Sequence, residues 1–423
     1  MPNSRFNLEE QLWQDRREEN ARLRKRSLRL LLPLLLLLFL LAAALFLLFS
    51  KDEEPASTPS TEAAASEPSV AILDFVGDIS LDQAEIERFR TETGYDFTLL
   101  FRNIVPRLAP ADLIVGNLEG NIVDPGDVAD HCYPPALLQA LYDAGFDVLQ
   151  TANSYTIQNG ITGLTATKQA IQAAGMDPLG TWVSQEDRDE NDVLIRDVNG
   201  IRIAFLSFTK GMNNLRLPSG AEYCVNLLYT DYDTTYSVIA RSAIEKTVEK
   251  ARLQNPDLIV AMLHWGSEYD RQIAESQKEI ASILFNSGVN LVIGAHSHYV
   301  GPMELKEEQI TASGGNFVAY SLGDFASVAD VSSARHGCIL SISIQKDENG
   351  IQITDLSYIP TYSAAPSEKL KLSDYQVLDS LSAISFYKQG YYDRVSDELY
   401  EELVSALEDM KEETELPDKL AKK

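Results

Sequence analysis

The chain contains little cysteine for its length. Three cysteines, Cys132, Cys224 and Cys338, occur among 423 residues. This number is too small for a domain built on disulfides, and the spacing is not that of a zinc finger. In an oxidising compartment one disulfide and one spare thiol would be allowed. Cys132 and Cys224 both lie in turn-like contexts and form the candidate pair, although the sequence leaves that pairing open.

Positive charge is also scarce. The chain has 36 Lys and Arg residues against 63 Asp and Glu residues, which gives a net charge of −27. A surface with this excess of negative charge repels nucleic acids and other polyanions at long range. We therefore expect no nucleic-acid partner, although a bound metal ion could still hold an anionic group locally.

One long apolar run lies near the N-terminus, over residues 30–49. Its length suits a helix that crosses a hydrocarbon layer of about 30 Å. The Arg and Lys residues before it predict a cytoplasmic segment at 1–29 and an extracellular C-terminal part. A cleaved signal peptide is the alternative, but its apolar core would be shorter and a cleavage site would follow it. We predict a single-pass signal anchor in the cell membrane.

The residues after the apolar run change character twice. Residues 50–69 are rich in Glu, Pro, Ser and Thr and are predicted to form a flexible linker. From residue 70 to about 365, short apolar runs typical of covered strands alternate with helix-type patterns, which favours an α/β domain. Hairpins predicted at Asn199-Gly200 and at 347–350 imply mixed sheets. Residues 366–423 are predicted to form an acidic helical extension.

Polar side chains follow several of the predicted strands directly. Ligands in α/β proteins collect beyond the carboxyl ends of strands, where these side chains are expected to meet. A mixture of imidazole and carboxylate suits Zn, Mn or Fe better than Ca or Mg. We predict a centre of one or two divalent ions with the ligands Asp78, Glu119, His264, His296 and His298.

The histidines differ in how strongly they indicate metal binding. His296 and His298 are two residues apart, and alternate residues of an extended segment face the same side, so both are expected to approach one ion. A single histidine after a strand is more often a hydrogen-bonded core or rim residue. We interpret His131 and His336 in that ordinary way.

Six short motifs occur in order along the predicted α/β domain. They are Gly77-Asp78, Gly116 to Glu119, Ala152-Asn153, His264 to Tyr269, Gly294 to His298 and Ser321 to Phe325. Their order and approximate spacing over roughly residues 70–363 resemble those of the CapA family, to which the poly-γ-glutamate capsule proteins CapA and PgsA belong. The resemblance implies a metallophosphatase-like, four-layer α/β/β/α sandwich with a site at one edge of the paired sheets.

The resemblance also implies roles for individual residues. The five predicted ligands fall at the family's metal-centre positions, with Asn117 and Asn153 as near neighbours. Related phosphatases have a metal ligand and an acid-base imidazole where this chain has Ser154 and Tyr155. Serine is a poor ligand, and tyrosine, with a pKa of about 10, is a poor proton shuttle near neutral pH. A second metal and hydrolysis are therefore expected to be weakened.

Two further acidic residues are candidates for the same pocket. Asp324 stands where the family usually has Asn, so it adds a negative charge or a replacement ligand. Glu268 follows His264 closely and is either a pocket residue or an ordinary residue of the rim.

Three functions remain open at this stage. The resemblance favours a membrane-anchored protein of capsule biosynthesis, export or anchoring, with a poly-γ-glutamate-type polymer and its synthase components as partners. The second is a metal-dependent phosphoesterase or related hydrolase. The third is a binding module that retains a degenerate metallophosphatase site without turnover.

Overall fold

A computed structural model describes residues 68–327 and 335–414. The predicted cytoplasmic segment at 1–29, the predicted signal anchor at 30–49 and all but the end of the predicted linker lie outside the described residues. Among the helices of the described parts, none is both long enough and apolar enough to cross a membrane.

The described residues form seventeen strands. In chain order they are β1 (Ser69–Ile79), β2 (Leu113–Leu118), β3 (Asn121–Ile122), β4 (Cys132–Tyr133), β5 (Val148–Gln150), β6 (Asp177–Leu179), β7 (Leu194–Val198), β8 (Ile201–Thr209), β9 (Leu258–His264), β10 (Leu291–Ala295), β11 (Met303–Leu305), β12 (Gln309–Ile310), β13 (Phe317–Ala319), β14 (Asp324–Ala326), β15 (His336–Asp347), β16 (Gly350–Ala364) and β17 (Gln376–Asp379).

Helices connect many of these strands. They are α1 (Gln83–Glu87), α2 (Thr98–Phe101), α3 (Val105–Leu108), α4 (Ala136–Ala144), α5 (Gly160–Ala173), α6 (Gln185–Asn191), α7 (Arg241–Leu253), α8 (Glu275–Ser287), α9 (Ser380–Lys388) and α10 (Asp397–Thr414), and a 3₁₀ turn spans Glu222–Cys224.

The strands form two large mixed sheets. The first has the order β12-β16-β15-β1-β2-β5-β6, with β14 also paired to β1 and β17 to β16. The second has the order β11-β13-β10-β9-β8-β7. In each sheet the central strands are parallel, whereas β15, β16, β7 and β11 pair in antiparallel fashion. The prediction of an α/β domain with mixed sheets is confirmed.

The two sheets pack face to face, and helices cover their outer faces. Alternate residues of β1 and β9, such as Phe75 and Val260, share one apolar cluster between the sheets. The opposite face of the first sheet packs on residues of α2, α4 and α5, including Leu141 and Ile171. The outer face of the second sheet packs on α7 and α8. The order of layers is therefore helix, sheet, sheet, helix.

Local sequence signals account for several boundaries. Asn199 and Gly200 both have positive φ, 53° and 84°, and join β7 to β8 in the predicted hairpin. Helix α7 begins only at Arg241, because the carboxylate of Asp231 accepts hydrogen bonds from the backbone nitrogens of Ser237 and Val238 and holds the preceding segment as a loop.

The C-terminal extension contains a strand as well as two helices. Gln376–Asp379 pairs in antiparallel fashion with the end of β16. Leu378 of this strand and Leu403 of α10 are buried in one cluster with Tyr362 of β16. The extension is therefore built onto the first sheet through a strand too short to have been recognised in the sequence.

The candidate disulfide between Cys132 and Cys224 is wrong, because both residues are free, buried thiols in the structure. The sulfur of Cys132 lies 3.2 Å from the side-chain nitrogen of Asn159. Cys224 instead packs in an apolar cluster with Met212 and Leu217. The two thiols have different neighbours, so neither is placed to bond the other.

Candidate metal centre

The ends of four parallel strands position the candidate ligands. Asp78 is near the end of β1, Glu119 directly follows β2, His264 ends β9, and His296 directly follows β10. Within each sheet the neighbours are in register, with Asp78 opposite Asn117 and Ala295 opposite His264. The carboxyl ends of strands from both sheets therefore meet at one edge, as the sequence predicts.

Glycines let the backbone approach closely at this edge. A Cβ atom on Gly77 would lie 1.8 Å from the carbonyl oxygen of Gly323, and one on Gly294 would lie 2.0 Å from that of Tyr320. Distances this short are not possible for nonbonded atoms. Only glycine fits at these two positions, one directly before Asp78 and the other two residues before His296.

Six buried side chains form two groups that could each hold a metal ion. In each group the ligand atoms lie within 4.8 Å of one another. Asp324 is the member that was not among the five predicted ligands. The first group is Glu119, His264 and His296, and the second is Asp78, His298 and Asp324.

The two histidines of the His-x-His segment fall in different groups. The extended conformation expected for this segment is wrong, because His296 and His298 have positive φ values of 99° and 61°. Their ring centroids are 6.4 Å apart. The backbone nitrogen of His296 donates to Asp78 Oδ2 at 3.0 Å, a tertiary contact that accompanies the bend. The segment therefore supplies one imidazole to each group.

The first group contains buried polar atoms without hydrogen-bond partners. Within the described residues, neither carboxylate oxygen of Glu119 has such a partner, nor does Nδ1 of His264 or of His296. Glu119 Oε1 lies 3.3 Å from His264 Nε2, which is a close approach without hydrogen-bond geometry. Unpartnered buried oxygen and nitrogen atoms are costly unless a cation satisfies them. The residues present thus fit a borderline divalent ion.

The second group is held by hydrogen bonds from its surroundings. Asp78 Oδ1 accepts from Asn117 Nδ2 at 2.7 Å, and Asn117 Oδ1 in turn accepts from Asn153 Nδ2 at 3.0 Å. His298 Nδ1 donates to Asp324 Oδ1 at 2.7 Å. Asp324 Oδ2 has no hydrogen-bond partner among the described residues. Asp324 can therefore orient His298 or offer its second oxygen to an ion.

Burial shifts the pKa values of the carboxylates and imidazoles in opposite directions. It raises the pKa of Asp78 to about 7, assisted by the nearby Glu119 carboxylate, and that of Glu119 to about 7. Burial lowers the pKa of His264 to about 3 and that of His296 well below its usual value. An imidazole binds a metal ion in its neutral form, which burial favours here. Burial disfavours the ionised form of the two carboxyl groups, and a cation close to them would favour it again.

His298 differs from the other two imidazoles. Burial lowers its pKa, but the Asp324 carboxylate and its hydrogen bond oppose burial and raise the pKa to about 11. The ring of Tyr269 stacks on His298 with centroids 4.9 Å apart and planes 22° apart. Position, charge and packing of this imidazole are all set by its neighbours.

Ser154 and Tyr155 both lie at the centre. The hydroxyl of Ser154 forms a hydrogen bond of 3.0 Å with His264 Nε2. Burial raises the pKa of Tyr155 to about 12, aided by the Glu119 carboxylate, so its phenol keeps its proton at neutral pH. These positions contribute a neutral hydroxyl and a neutral phenol where the resemblance implies a ligand and an imidazole.

His131 is a neighbour of the centre that the sequence did not identify. Its Nδ1 lies 3.2 Å from the Glu119 carbonyl oxygen and 3.3 Å from Ser80 Oγ, so it is hydrogen-bonded as interpreted. Its ring also stacks on Tyr155 with centroids 3.6 Å apart. A loop carries His131 back to the centre, and the sequence contains no signal for that return. His336 instead packs beside Tyr362.

Glu268 is exposed, and it lines a pocket of about 240 Å³ that reaches Ser154 and His296. Of the residues proposed from the sequence, it is the one that lies on the rim rather than among the buried groups. The pocket gives the buried centre a route to solvent.

Comparison with known proteins places this arrangement in a family context. The family model described as Bacterial capsule synthesis protein PGA_cap matches residues 72–329. The chain is 23% identical over 305 residues to the Capsule biosynthesis protein CapA of Bacillus anthracis, covering 70% of this chain and 68% of that protein. It is 24% identical over 338 residues to the PGA biosynthesis protein CapA of Bacillus subtilis (strain 168), covering 77% and 81%.

Solved structures of phosphatases are among the similar folds. A novel phosphatase of Mycoplasma pneumoniae has a TM-score of 0.40 at 13% identity, covering 69% of this chain and 94% of that one. The calcineurin-like phosphoesterase YfkN of Bacillus subtilis has a TM-score of 0.37 at 12% identity, covering 69% and 90%. The family model spans more than half of the 423 residues. The chain therefore belongs to the bacterial capsule synthesis protein family PGA_cap.

Proposed function

We propose that this chain is a membrane-anchored, extracellular capsule biosynthesis protein with a divalent metal centre. It acts in the synthesis, export or anchoring of a poly-γ-glutamate-type polymer, together with synthase components. Family membership supports the capsule role, and two relatives are named for capsule and PGA biosynthesis. The apolar run at 30–49 and the basic residues before it support the membrane anchor and the orientation.

The observation that carries the metal proposal is the set of unpartnered atoms at the meeting point of the two sheets. Glu119, His264 and His296 are each no more than 3% exposed and have unsatisfied ligand atoms within the described residues. Mixed nitrogen and oxygen donors favour Mn, Zn or Fe, with one or two ions. Such an ion supplies Lewis-acid polarisation of a carbonyl or phosphoryl oxygen.

The chain's own residues prepare the centre for such an ion. Asn153 and Asn117 form a hydrogen-bonded chain that orients Asp78. Asp324 fixes the ring of His298 through Nδ1. The Ser154 hydroxyl forms a hydrogen bond with His264 Nε2. These contacts restrict the rotamers of the ligands before an ion binds. The side chains therefore lose less conformational entropy when it does bind.

Tyr155 favours a binding module over a fast hydrolase. A phenol whose pKa is about 12 gives up its proton too reluctantly to protonate a leaving group efficiently near pH 7. The second candidate, a metal-dependent phosphoesterase or related hydrolase, is favoured by the pocket that joins the centre to solvent. The two candidates share the metal and differ in turnover.

Metal analysis of the purified full-length protein tests the proposal. We expect stoichiometric Mn, Zn or Fe in the wild type and a marked loss in His296→Ala. His336→Gln is the matched control, because its imidazole lies beside Tyr362 and outside both groups. Absence of metal from wild-type protein supplied with each ion would overturn the metal proposal.

Two further measurements separate the functions. A screen of phosphomonoesters and phosphodiesters with added Mn²⁺ or Zn²⁺ distinguishes the hydrolase, whose turnover His296→Ala should abolish, from the binding module, which binds metal without turnover. Deletion of the gene in the native cell, followed by quantification of surface polymer, tests the capsule role. Unchanged polymer would contradict that role.

A further inference from the structure

The pocket beside the candidate centre is polar and contains an unpartnered buried group. His296, which is 3% exposed, lines the pocket, and its buried Nδ1 atom has no hydrogen-bond partner among the described residues. Across the pocket lie side chains from the loops that follow β8 and β9. These are Lys210, Asn213, Asn214, Tyr236, Ser267 and Glu268.

Lys210 is fixed at the mouth of the centre by its backbone and its side chain. It directly follows β8, and its backbone nitrogen donates to the carbonyl oxygen of His264 at 2.8 Å. Its Nζ donates to the carbonyl oxygen of Gly266 at 2.6 Å and lies 4.9 Å from the ring centroid of Tyr236. An ammonium group has three donor hydrogens, so this one hydrogen bond leaves two for a ligand.

The charge of Lys210 is not neutralised by a close partner. Within the described parts of the chain, no carboxylate forms an ion pair with it at 4.0 Å or less. Partial removal of a lysine charge from water is costly unless a hydrogen bond or an opposite charge offsets it. In a chain with a net charge of −27, an unpaired lysine beside a pocket is a position for an anionic ligand.

A neighbouring amide adds donors to the same pocket. Asn213 and Asn214 have positive φ values of 48° and 60°, which turn the loop over the pocket. The side-chain oxygen of Asn214 accepts from the Tyr236 hydroxyl at 3.2 Å, which leaves its Nδ2 hydrogens as donors. Ammonium and amide donors together recognise an oxyanion.

We propose that Lys210 is the positioning residue of an oxyanion subsite. It binds a carboxylate or phosphoryl oxygen of the substrate and thereby holds the adjacent bond beside His296. The inference deepens the proposed function, since it rests on the same centre as the place of reaction or binding. Glu268 on the rim opposes the bound anion and limits its affinity.

Calorimetric titration of the full-length protein with two probes tests this subsite. Inorganic phosphate represents the phosphoryl source and glutarate the carboxylate source, each added to Mn²⁺-loaded and to chelated protein. We expect Lys210→Met to weaken the tighter probe by about 10-fold to 100-fold, the scale of a charged hydrogen bond. Lys210→Arg should restore most of the affinity, because it keeps the charge.

Control variants separate binding from folding and from metal content. Lys246→Met removes an exposed lysine of α7 and should leave both titrations unchanged. Metal content should be the same in Lys210→Met and the wild type. Glu268→Gln alters an exposed side chain, so it should fold and bind the probe several-fold more tightly.

Specific results would overturn the subsite. Equal affinity in the wild type and Lys210→Met, no saturable binding of either probe by the wild type, or weaker binding by Glu268→Gln would each do so. If Lys210→Met does not fold, the Glu268→Gln result decides. If the wild type takes up none of the supplied metals but still binds a probe through Lys210, the metal proposal fails and the subsite stands.

Discussion

Asp324 and His298 form a buried pair in which Oδ1 lies 2.7 Å from Nδ1, although the residues belong to different segments of the edge. Residue 324 opens β14, which is paired in parallel with the end of β1, and this places Asp324 opposite Asp78. The second metal group therefore depends on the short strand β14, which brings the carboxylate of Asp324 into contact with the imidazole of His298.

The pair predicts a graded loss of metal affinity. Asp324→Asn keeps an oxygen that can accept from Nδ1 but removes the charge, whereas Asp324→Ala removes both. We expect Mn²⁺ affinity to fall by about tenfold in Asp324→Asn and by up to about 100-fold in Asp324→Ala. Titration with Mn²⁺ of proteins from which a chelator has removed the metal measures this order of affinities. Equal affinity in all three proteins would show that Asp324 neither binds nor orients.

Asn117 is predicted to be important for stability as well as for the centre. Its side chain donates to Asp78 and accepts from Asn153, and it is fully buried. Asn117→Ala leaves both partners without this contact, so we expect a loss of about 1–3 kcal/mol in the free energy of unfolding. Urea unfolding measures it. Asn286→Ala, at an exposed position of α8, is the control and should change little; a loss of similar size there would contradict the assignment.

Gly77 is predicted to tolerate no side chain. An added Cβ would meet the Gly323 carbonyl oxygen at 1.8 Å and push apart the backbone around the hydrogen bond from Asp78 N to that oxygen. We expect Gly77→Ala to cost about 1–3 kcal/mol or more and to reduce metal content. Gly126→Ala is the matched control, because nothing lies within 4 Å of its added Cβ. Normal melting and metal content in Gly77→Ala would be incompatible with this packing.

The sequence predicts well where the central strands lie and that they end at a common edge. Leu258–His264 and Leu291–Ala295 are observed where apolar, β-branched runs indicate them, because a strand buried on both faces leaves a continuous pattern. The meeting of Asp78 and Glu119 with the histidines follows from parallel strands that end at one edge. These features depend on local composition and general topology.

The remaining features depend on contacts that leave no local pattern. β14 and β17 span three and four residues, which is too short for periodicity to be recognised. His131 reaches Tyr155 through a loop, and the bend at His296 accompanies a backbone bond to Asp78, far away in sequence. The pairing of Asp324 with His298 is likewise tertiary, so only the structure shows it.

Asp74 provides a pH-dependent test outside the metal groups. It lies in β1, is 2% exposed, and its Oδ1 has no hydrogen-bond partner within the described residues. Burial raises its pKa from 3.8 to about 6, against the opposing effect of a hydrogen bond with Ser341. Between pH about 4 and about 6 the folded state binds more protons at this site than the unfolded state does. Its contribution to stability therefore falls as the pH rises through that window.

Asp74→Asn removes the ionisation and keeps the shape of the side chain. The pKa shift corresponds to a destabilisation of about 3 kcal/mol above pH 6, so the variant should be more stable than the wild type by up to that amount at pH 7.5. At pH 4 both side chains are neutral in the folded state, and the difference should nearly vanish. Urea unfolding at the two pH values measures both. An equal gain at pH 4 and 7.5 would assign the effect to packing, and a loss at pH 7.5 would show that the carboxylate is stabilised by its surroundings.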